Sequence, residues 1–146
     1  MPLDRTRGGV PILRTLSDNV VVMFVRYESP VPNSRGGRTG IFGLTNGLAH
    51  AGQLSQNDWS WWRTNNDWFD AAYIDPATVD ATLFDRSIHP VVSCWFRGAA
   101  THLLDRVPGY LALLHRYGVA WVERMCEQPG RVLYNDEVQI VVAPLG

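Results

Sequence analysis

The chain has 146 residues, of which 46% are hydrophobic and 18% are charged, so it is long enough and apolar enough to fold around one core. Its formal net charge of −1 provides no broad field for nucleic acid or an anionic membrane, and we expect neither as a partner. No apolar run approaches the roughly 20 residues that span a bilayer, and the amino-terminal residues lack the apolar core of a signal peptide. We therefore expect a single domain over residues 1–146, located in the cytoplasm.

All thirteen basic residues are arginines, and the absence of lysine excludes several kinds of site. Schiff-base lysines, Ser–Lys dyads and the lysine of a P-loop all need an ammonium group that this chain lacks. The two cysteines, Cys94 and Cys126, form no Cys-x-x-Cys motif, and no pair of histidines has metal-binding spacing with a carboxylate. The sequence therefore predicts neither a disulfide nor a metal site, and it identifies no cofactor.

The first predicted elements are strands. A β-prone run at residues 10–14 and a very apolar run at residues 20–27 flank turn residues at 17–19, which predicts a hairpin. The second run is apolar enough for a central strand, and we expect the C-terminal hairpin strands to be its neighbours. Prolines, glycines and arginines then predict an irregular loop over residues 28–40.

Apolar periodicity and proline placement predict three of the helices. Residues 41–51 carry apolar side chains at helical spacing, and Gly52 supplies a C-cap. Pro108 begins another helix, which Gly118 closes. Pro90 is suited to the first turn of a helix between these two. Its buried face would comprise Val92, Trp95, Phe96, Ala99 and Leu103.

The C-terminal third returns to strands. Residues 119–125, 131–134 and 138–143 are β-prone, and Asn135-Asp136 between the last two runs is a hairpin signal. The resulting order, β-β-α-α-α-α-β-β-β, is typical of an α+β fold. We therefore predict a mainly antiparallel sheet of about five strands, covered on one face by about four helices.

The fourth helix is an aromatic one over residues 55–73, SQNDWSWWRTNNDWFDAAY, which contains four of the six tryptophans. Asn65 and Asn66 fall within its aromatic face. An unpaired buried amide costs roughly 1–3 kcal/mol, so each must bond to the protein or to a ligand. Our hypothesis is that they orient a planar ligand stacked on Trp61 or Trp62. The alternatives are ordinary core packing of the tryptophans and amide bonds to nearby backbone carbonyls.

The loop at residues 28–40 is a candidate anion site. It lies between a strand and a helix and contains Arg35 and Arg38 among glycines. Backbone N–H groups, the helix dipole and two guanidinium forks would converge there on one anion. A solvated loop without a ligand is the alternative.

Two strand ends supply candidate catalytic residues, Arg26 and Glu137. Glu137 is the candidate general base, because burial can tune a carboxylate at the end of a sheet. With Ser29, the pair resembles the arginine-serine-glutamate arrangement of ADP-ribosyltransferase-like folds, which implies an enzyme that uses NAD; the family's serine-threonine-serine strand motif is missing. Cys94 is a further candidate nucleophile if Arg97 lowers the pKa of its thiol.

Three stretches of the sequence resemble a group of small actinobacterial proteins that have no assigned activity. They are GIFGLTNGL at residues 40–48, WWRTNNDWFDAAY at 61–73 and VLYNDEVQIVV at 132–142. The resemblance covers nearly the full length of the chain. It implies no reaction and no ligand.

The leading functional hypothesis is a ligand-binding α+β domain with a cleft between the aromatic helix and the arginine-containing loop. A small planar or anionic molecule would fit such a cleft, and the sequence leaves open whether the domain is an enzyme. The second hypothesis is an interaction module that docks another protein or a second copy of the chain, because Trp, Tyr and Arg dominate interface energetics. The third is the NAD-using transferase.

Overall fold

A computed structural model of the protein describes residues 15–16 and 19–145. Within these residues the strands and helices follow one another in this order: β1 (Thr15–Leu16), β2 (Asn19–Val20), β3 (Phe24–Glu28), α1 (Ile41–His50), α2 (Gln56–Ala72), a 3-10 turn (Pro76–Thr78), β4 (Ser93–Arg97), α3 (Thr101–Leu104), α4 (Val107–Arg116), β5 (Val122–Cys126), β6 (Arg131–Asn135) and β7 (Gln139–Ala143). No helix in the described ranges has the length and apolar character needed to cross a bilayer.

The main sheet of the described residues has five strands in the order β5-β3-β4-β7-β6, and every neighbouring pair is antiparallel. With the helices beside it, this sheet confirms the predicted α+β fold. The predicted run at residues 10–14 lies outside the described residues. A separate two-stranded hairpin pairs β1 with β2.

The largest core cluster lies between the sheet and the helices. Phe69 of α2 and Tyr110 of α4 are buried in it, and Tyr27 and Phe96 of the sheet pack against it. Successive side chains of a strand point to opposite faces, so Trp95, which follows Cys94 and precedes Phe96, points away from the helices. It belongs to a second buried cluster with Ile140 and Val142.

The helix predicted from Pro90 is wrong. Residues Ser93–Arg97 form strand β4, which pairs with β3 on one side and β7 on the other. The apolar residues of this stretch fit both a helical stripe and an alternating strand, and a short run does not separate the two periods. The aromatic pair Trp95 and Phe96 favours a strand, and the sheet uses one on each face. The helical part begins later, at Thr101.

The early apolar run supplies an interior strand, as expected, but the neighbours predicted for it are wrong. Strand β3 begins only at Phe24 and lies one place from the edge of the sheet, between β5 and β4. The C-terminal hairpin β6–β7 joins β4 instead of β3, and all five residues of β7 are buried. The fully apolar run IVVA within β7 therefore occupies the interior of the sheet.

Most local signals correspond to the observed elements. Ser55 Oγ accepts a hydrogen bond from Asp58 N at 3.1 Å and caps α2. The predicted turn at Asn135-Asp136 joins β6 to β7. Gly52 and Gly118 follow the ends of α1 and α4 with φ of 71° and 69°, a left-handed conformation suited to glycine.

Candidate functional site

The amides of the aromatic helix belong to a closed set of side-chain hydrogen bonds, called here the amide network. Asn66 Nδ2 donates to Asn46 Oδ1 of α1 at 3.0 Å, and Tyr110 Oη donates to Asn66 Oδ1 at 2.6 Å. Trp62 Nε1 donates to the same Asn46 oxygen at 3.0 Å. Four side chains from three helices therefore bond to one another, and Asn46 and Tyr110 are the members that the sequence did not reveal.

The tryptophans beside these amides pack in the core. Trp62 is only 4% exposed, and Trp61 lies edge-on to Tyr110 with ring centroids 5.0 Å apart. Asn65 donates to the Trp61 carbonyl oxygen of its own helix at 2.8 Å. The structure therefore contradicts the predicted role of Trp61, Trp62, Asn65 and Asn66 as walls of a ligand cleft. Of the four tryptophans on α2, Trp59 is the exposed one, at 45%.

Arg26 holds together a split in the sheet. Strands β3 and β4 pair only through Phe24 and Val25 and then separate. The Arg26 guanidinium occupies the gap, donating from Nη1 to Cys94 O at 2.9 Å and from Nη2 to Arg38 O at 2.6 Å. Its Nε donates to Glu28 Oε1 at 2.7 Å. All three nitrogens have protein partners, which join β3 to β4 and to the loop at residues 28–40. Arg26 therefore has a structural role, called here the Arg26 staple. Its predicted catalytic role is not supported.

Glu28 is the buried anion that balances this staple. Its side chain is 7% exposed, and its second oxygen accepts from Arg124 Nη1 at 3.0 Å. A buried carboxylate needs such partners, because a buried charge left without them costs several kcal/mol. The pair Arg26–Glu28 therefore fixes the end of β3, where the loop at residues 28–40 begins.

Glu137 lies exposed in the turn between β6 and β7. The neighbouring Asp136 is the carboxylate that holds this turn together. Its Oδ1 accepts from Val138 N and Gln139 N at 2.9 and 3.1 Å, and its Oδ2 accepts from Tyr134 Oη at 2.7 Å. Desolvation opposes its ionisation, but these hydrogen bonds outweigh it and lower the pKa of Asp136. No hydrogen bond or ion pair among the described residues joins Glu137 to Arg26.

Cys94 does not have the predicted activating neighbour. Residues three apart in a strand point to opposite faces, so Arg97 faces away from it and lies over the Phe24 ring at 5.2 Å. Although Cys94 is exposed, desolvation by the surrounding protein raises the pKa of its thiol, and the opposing effect of Arg26 is smaller. The thiol lines a cavity of about 80 Å³ at the split in the sheet, together with Tyr73. A raised thiol pKa disfavours the nucleophilic thiolate.

The loop at residues 28–40 folds back on itself as an irregular hairpin. Ser29 N donates to Thr39 O at 2.8 Å, and Asn33 N donates to Gly37 O at 2.7 Å. At the tip, Asn33 Oδ1 accepts from the N–H groups of Arg35 and Gly37 at 2.9 and 3.2 Å. These two N–H groups, which the sequence interpretation assigned to an anion, are therefore occupied.

The other expected anion donor, the N-terminus of α1, lies elsewhere. Its first residues, Ile41 and Phe42, line the small cavity beside Cys94. The loop arginines do not face that cavity. The predicted convergence of backbone, dipole and guanidinium groups on one anion is therefore wrong, and only the side chains converge.

Arg35 and Arg38 line a pocket of about 180 Å³ between two loops, residues 33–38 and 84–92, called here the loop pocket. Its polar lining consists of Asn33, Arg35, Arg38, Arg86 and His89. Its apolar lining consists of Phe84, Pro90, Val91 and Val92. The two loops approach each other closely at Gly37. A Cβ added there would lie only 3.3 Å from Val91 Cγ1. The pocket contains neither tryptophans nor amides of α2, so it is not the single cleft that we predicted.

The guanidinium groups of the loop pocket retain donors. Arg38 Nη1 donates to Pro30 O, while its other nitrogens have no hydrogen-bond partner among the described residues. Neither Arg35 nor Arg86 makes a side-chain hydrogen bond or ion pair to another residue in the described part of the chain; the ion pairs there use Arg26, Arg63, Arg116 and Arg124. Three arginine residues with such donors therefore line one small space.

Two carboxylates near the loop pocket are held in their own turns. Asp80 Oδ1 accepts from Thr82 Oγ1 at 2.7 Å, and Asp85 Oδ1 accepts from Ser87 Oγ at 2.7 Å. These hydrogen bonds, assisted by the charge of His89, lower the pKa of both aspartates. Neither aspartate lines the pocket. They moderate the positive field of the arginines without filling the donor sites.

Arg86 and His89 are polar pocket residues that sequence reasoning did not assign to a site. Both belong to the segment after α2, where the repeated spacing Asp80-x-Thr82 and Asp85-x-Ser87 builds successive turns. That spacing was a readable turn signal. It did not indicate which distant loop the turns would contact. In the described residues no group of three His, Cys, Asp or Glu side chains is arranged to hold a metal ion.

The chain matches no protein-family model, and no curated protein or solved structure is significantly similar to it.

Proposed function

We propose that the protein binds a small anionic molecule in the loop pocket. The observation that carries this function is that Arg35, Arg38 and Arg86 line one pocket while most of their side-chain donors have no partner among the described residues. Guanidinium groups form strong, charge-assisted hydrogen bonds with carboxylates and phosphates, and a planar fork fixes the geometry of the bound anion.

The size of the pocket restricts the ligand. A volume of about 180 Å³ is smaller than the roughly 300–1,000 Å³ of sites for drug-sized molecules. The ligand is therefore a compact molecule and not a large dinucleotide. This property disfavours the NAD-using transferase, for which Arg26 and Glu137 are also not brought into contact.

The two loops are held in place before a ligand arrives. Asn33 closes the tip of one loop, and the Arg26 nitrogen at Arg38 O anchors its base. Asp85 closes a turn beside Arg86 in the other loop. Such preorganisation reduces the entropy lost on binding.

Isothermal titration calorimetry with inorganic phosphate at low ionic strength tests this function. We expect millimolar or tighter binding to the parent protein, and we expect Arg86→Ala to weaken it by at least about tenfold, since a charge-assisted hydrogen bond contributes about 1.5–3 kcal/mol. Arg131→Ala is the matched control, because Arg131 is an exposed arginine of β6 outside the pocket. Absence of binding, or equal weakening by both variants, would show that the loop pocket is not the anion site.

A further inference from the structure

The loop pocket has two chemically different halves. Arg35, Arg38 and Arg86 form the cationic half, and Phe84 with residues 90–92 forms an apolar wall. Phe84 is 40% exposed although it is a large aromatic residue, so one part of its ring is available to a ligand. A bare inorganic anion would contact only the first half of the pocket.

The number of guanidinium groups distinguishes between kinds of anion. A carboxylate has one charge and two oxygens, which one arginine fork can satisfy. A phosphate monoester has a charge of about −1.5 to −2 near neutral pH and three terminal oxygens, each a strong acceptor. Three arginines provide one guanidinium for each terminal oxygen, and their combined charge suits a doubly charged phosphate better than a singly charged carboxylate.

The apolar wall determines what the phosphate is attached to. A flat aromatic or heteroaromatic group packs favourably against a phenylalanine ring, by offset or edge-to-face contact. Pro90, Val91 and Val92 would exclude water from the other side of such a group. The total volume leaves room for one ring and not for a longer chain.

We infer that the ligand of the loop pocket is a small phosphate monoester whose body is a single flat ring. The identity of this ligand depends on the anion-binding function proposed above, because the same three arginines hold the phosphate. Phe84 is the residue that adds specificity, since it contacts the body and not the charged group.

Calorimetry with three probes tests the ligand class: phenyl phosphate, inorganic phosphate and benzoate, each at the same low ionic strength. Phenyl phosphate is expected to bind about tenfold more tightly than inorganic phosphate, because ring contacts add to the charged ones. Benzoate, which has the ring and only one charge, is expected to bind about tenfold more weakly than phenyl phosphate.

Two matched variants locate the ring. Phe84→Ala is expected to remove the advantage of phenyl phosphate and to leave the affinity for inorganic phosphate unchanged. Ile88→Ala is the control, because Ile88 is a comparably exposed apolar residue of the same segment, at 51%, that does not line the pocket. Circular dichroism of both variants confirms that the comparison concerns folded protein.

The outcomes separate this inference from the proposed function. If phenyl phosphate binds no better than inorganic phosphate, or benzoate binds as tightly as phenyl phosphate, the ligand class is wrong while the anion pocket remains. An advantage of phenyl phosphate that survives Phe84→Ala would also overturn it, because the ring would lie elsewhere. If none of the three probes binds, both the ligand class and the anion-binding function fail.

Discussion

The amide network and the loop pocket both concentrate polar side chains among apolar ones, but they leave those side chains in opposite states. In the amide network, Asn66 uses both its donor and its acceptor on protein groups, and Tyr110 Oη donates to it from a fully buried position. In the loop pocket, Arg35 and Arg86 have no side-chain partner among the described residues. Among the described residues, the first region pairs its polar groups internally, and the second leaves donors unpaired beside a small space.

This difference shows which property of a polar cluster indicates binding. A buried polar group inside an aromatic surface must be paired, and for Asn66 other side chains of the protein supply the partners. Unused donors that face a concave space are the stronger sign of a ligand, because only a ligand or water can satisfy them. Variants that remove groups from each region therefore have distinct expected effects on stability and binding.

Arg26→Met is expected to have the largest effect on stability, lowering the free energy of unfolding by about 3–5 kcal/mol, because it breaks a buried ion pair. Glu28 would retain only Arg124, whose side chain is 53% exposed, and the carbonyls of Cys94 and Arg38 would lose their donor. Urea unfolding followed by tryptophan fluorescence measures this loss. Arg131→Met in β6 is the control and should change stability by less than about 0.5 kcal/mol. If Arg26→Met lowered the free energy of unfolding by less than about 1 kcal/mol, the structural role assigned to Arg26 would be contradicted.

Asn66→Ala is expected to lower the free energy of unfolding by about 2–3 kcal/mol, because the buried Tyr110 hydroxyl loses its acceptor and a small cavity forms. Asn65→Ala is the neighbouring control. Its amide bonds only to a carbonyl of its own helix, and alanine favours a helix, so we expect a change below about 1 kcal/mol. Equal and small effects of both substitutions would mean that the Asn66 amide is available to a ligand after all.

Asp136→Asn is expected to cost about 1 kcal/mol at neutral pH, since it weakens the hydrogen bonds that close the β6–β7 turn. The lowered pKa of Asp136 fixes the sign of the pH dependence. Its contribution is fully present above the unfolded carboxyl pKa of about 3.9 and is lost as pH falls through the lower folded pKa. The stability of Asp136→Asn should therefore fall less steeply than that of the parent below about pH 4.

Chemical denaturation at several pH values checks this slope, and Glu137→Gln provides the adjacent control. Glu137 is exposed, and its side chain makes no hydrogen bond among the described residues. The stability of the Glu137→Gln variant should therefore follow that of the parent protein at each pH. A steeper acid loss in Asp136→Asn than in the parent would show that the sign of the pKa shift is wrong.

Local chemistry predicted much of the fold. Helix α2 follows from its serine cap and aromatic periodicity, and the β6–β7 hairpin follows from its Asn-Asp turn, because each signal acts within a few residues. Strand β4 was missed because its short apolar run fits two periods, and only pairing with β3 and β7 decides between them. Tertiary pairing of that kind leaves no local mark on the sequence.

Only one loop of the candidate site was predictable from the sequence, because the other loop joins it through contacts between distant segments. Arg35 and Arg38 stand in one loop whose composition indicated an anion site, and both line the pocket. Arg86 and His89 come from a loop that contacts Gly37 through Val91, a pairing of distant segments that periodicity and turn chemistry do not encode. The amides of α2 were assigned to a ligand because the sequence does not show that Asn46, in another helix, is the partner of Asn66.

The double variant Arg35→Ala/Arg86→Ala is expected to have the smallest effect on stability, within about 0.5 kcal/mol of the parent protein, because neither side chain has a described partner to lose. Removing two of three neighbouring cations also relieves their repulsion, so a slight gain in stability at low salt would agree with the three arginines sharing one pocket. The parent should gain stability on addition of phosphate, by about 2.7 kcal/mol at a hundredfold excess over its dissociation constant, and the double variant should gain almost none. Thermal unfolding with and without phosphate measures both quantities. If the double variant is destabilised by more than about 1 kcal/mol without phosphate, the two arginines have stabilising partners within the protein. Like the groups of the amide network, they would then not be free to bind a ligand.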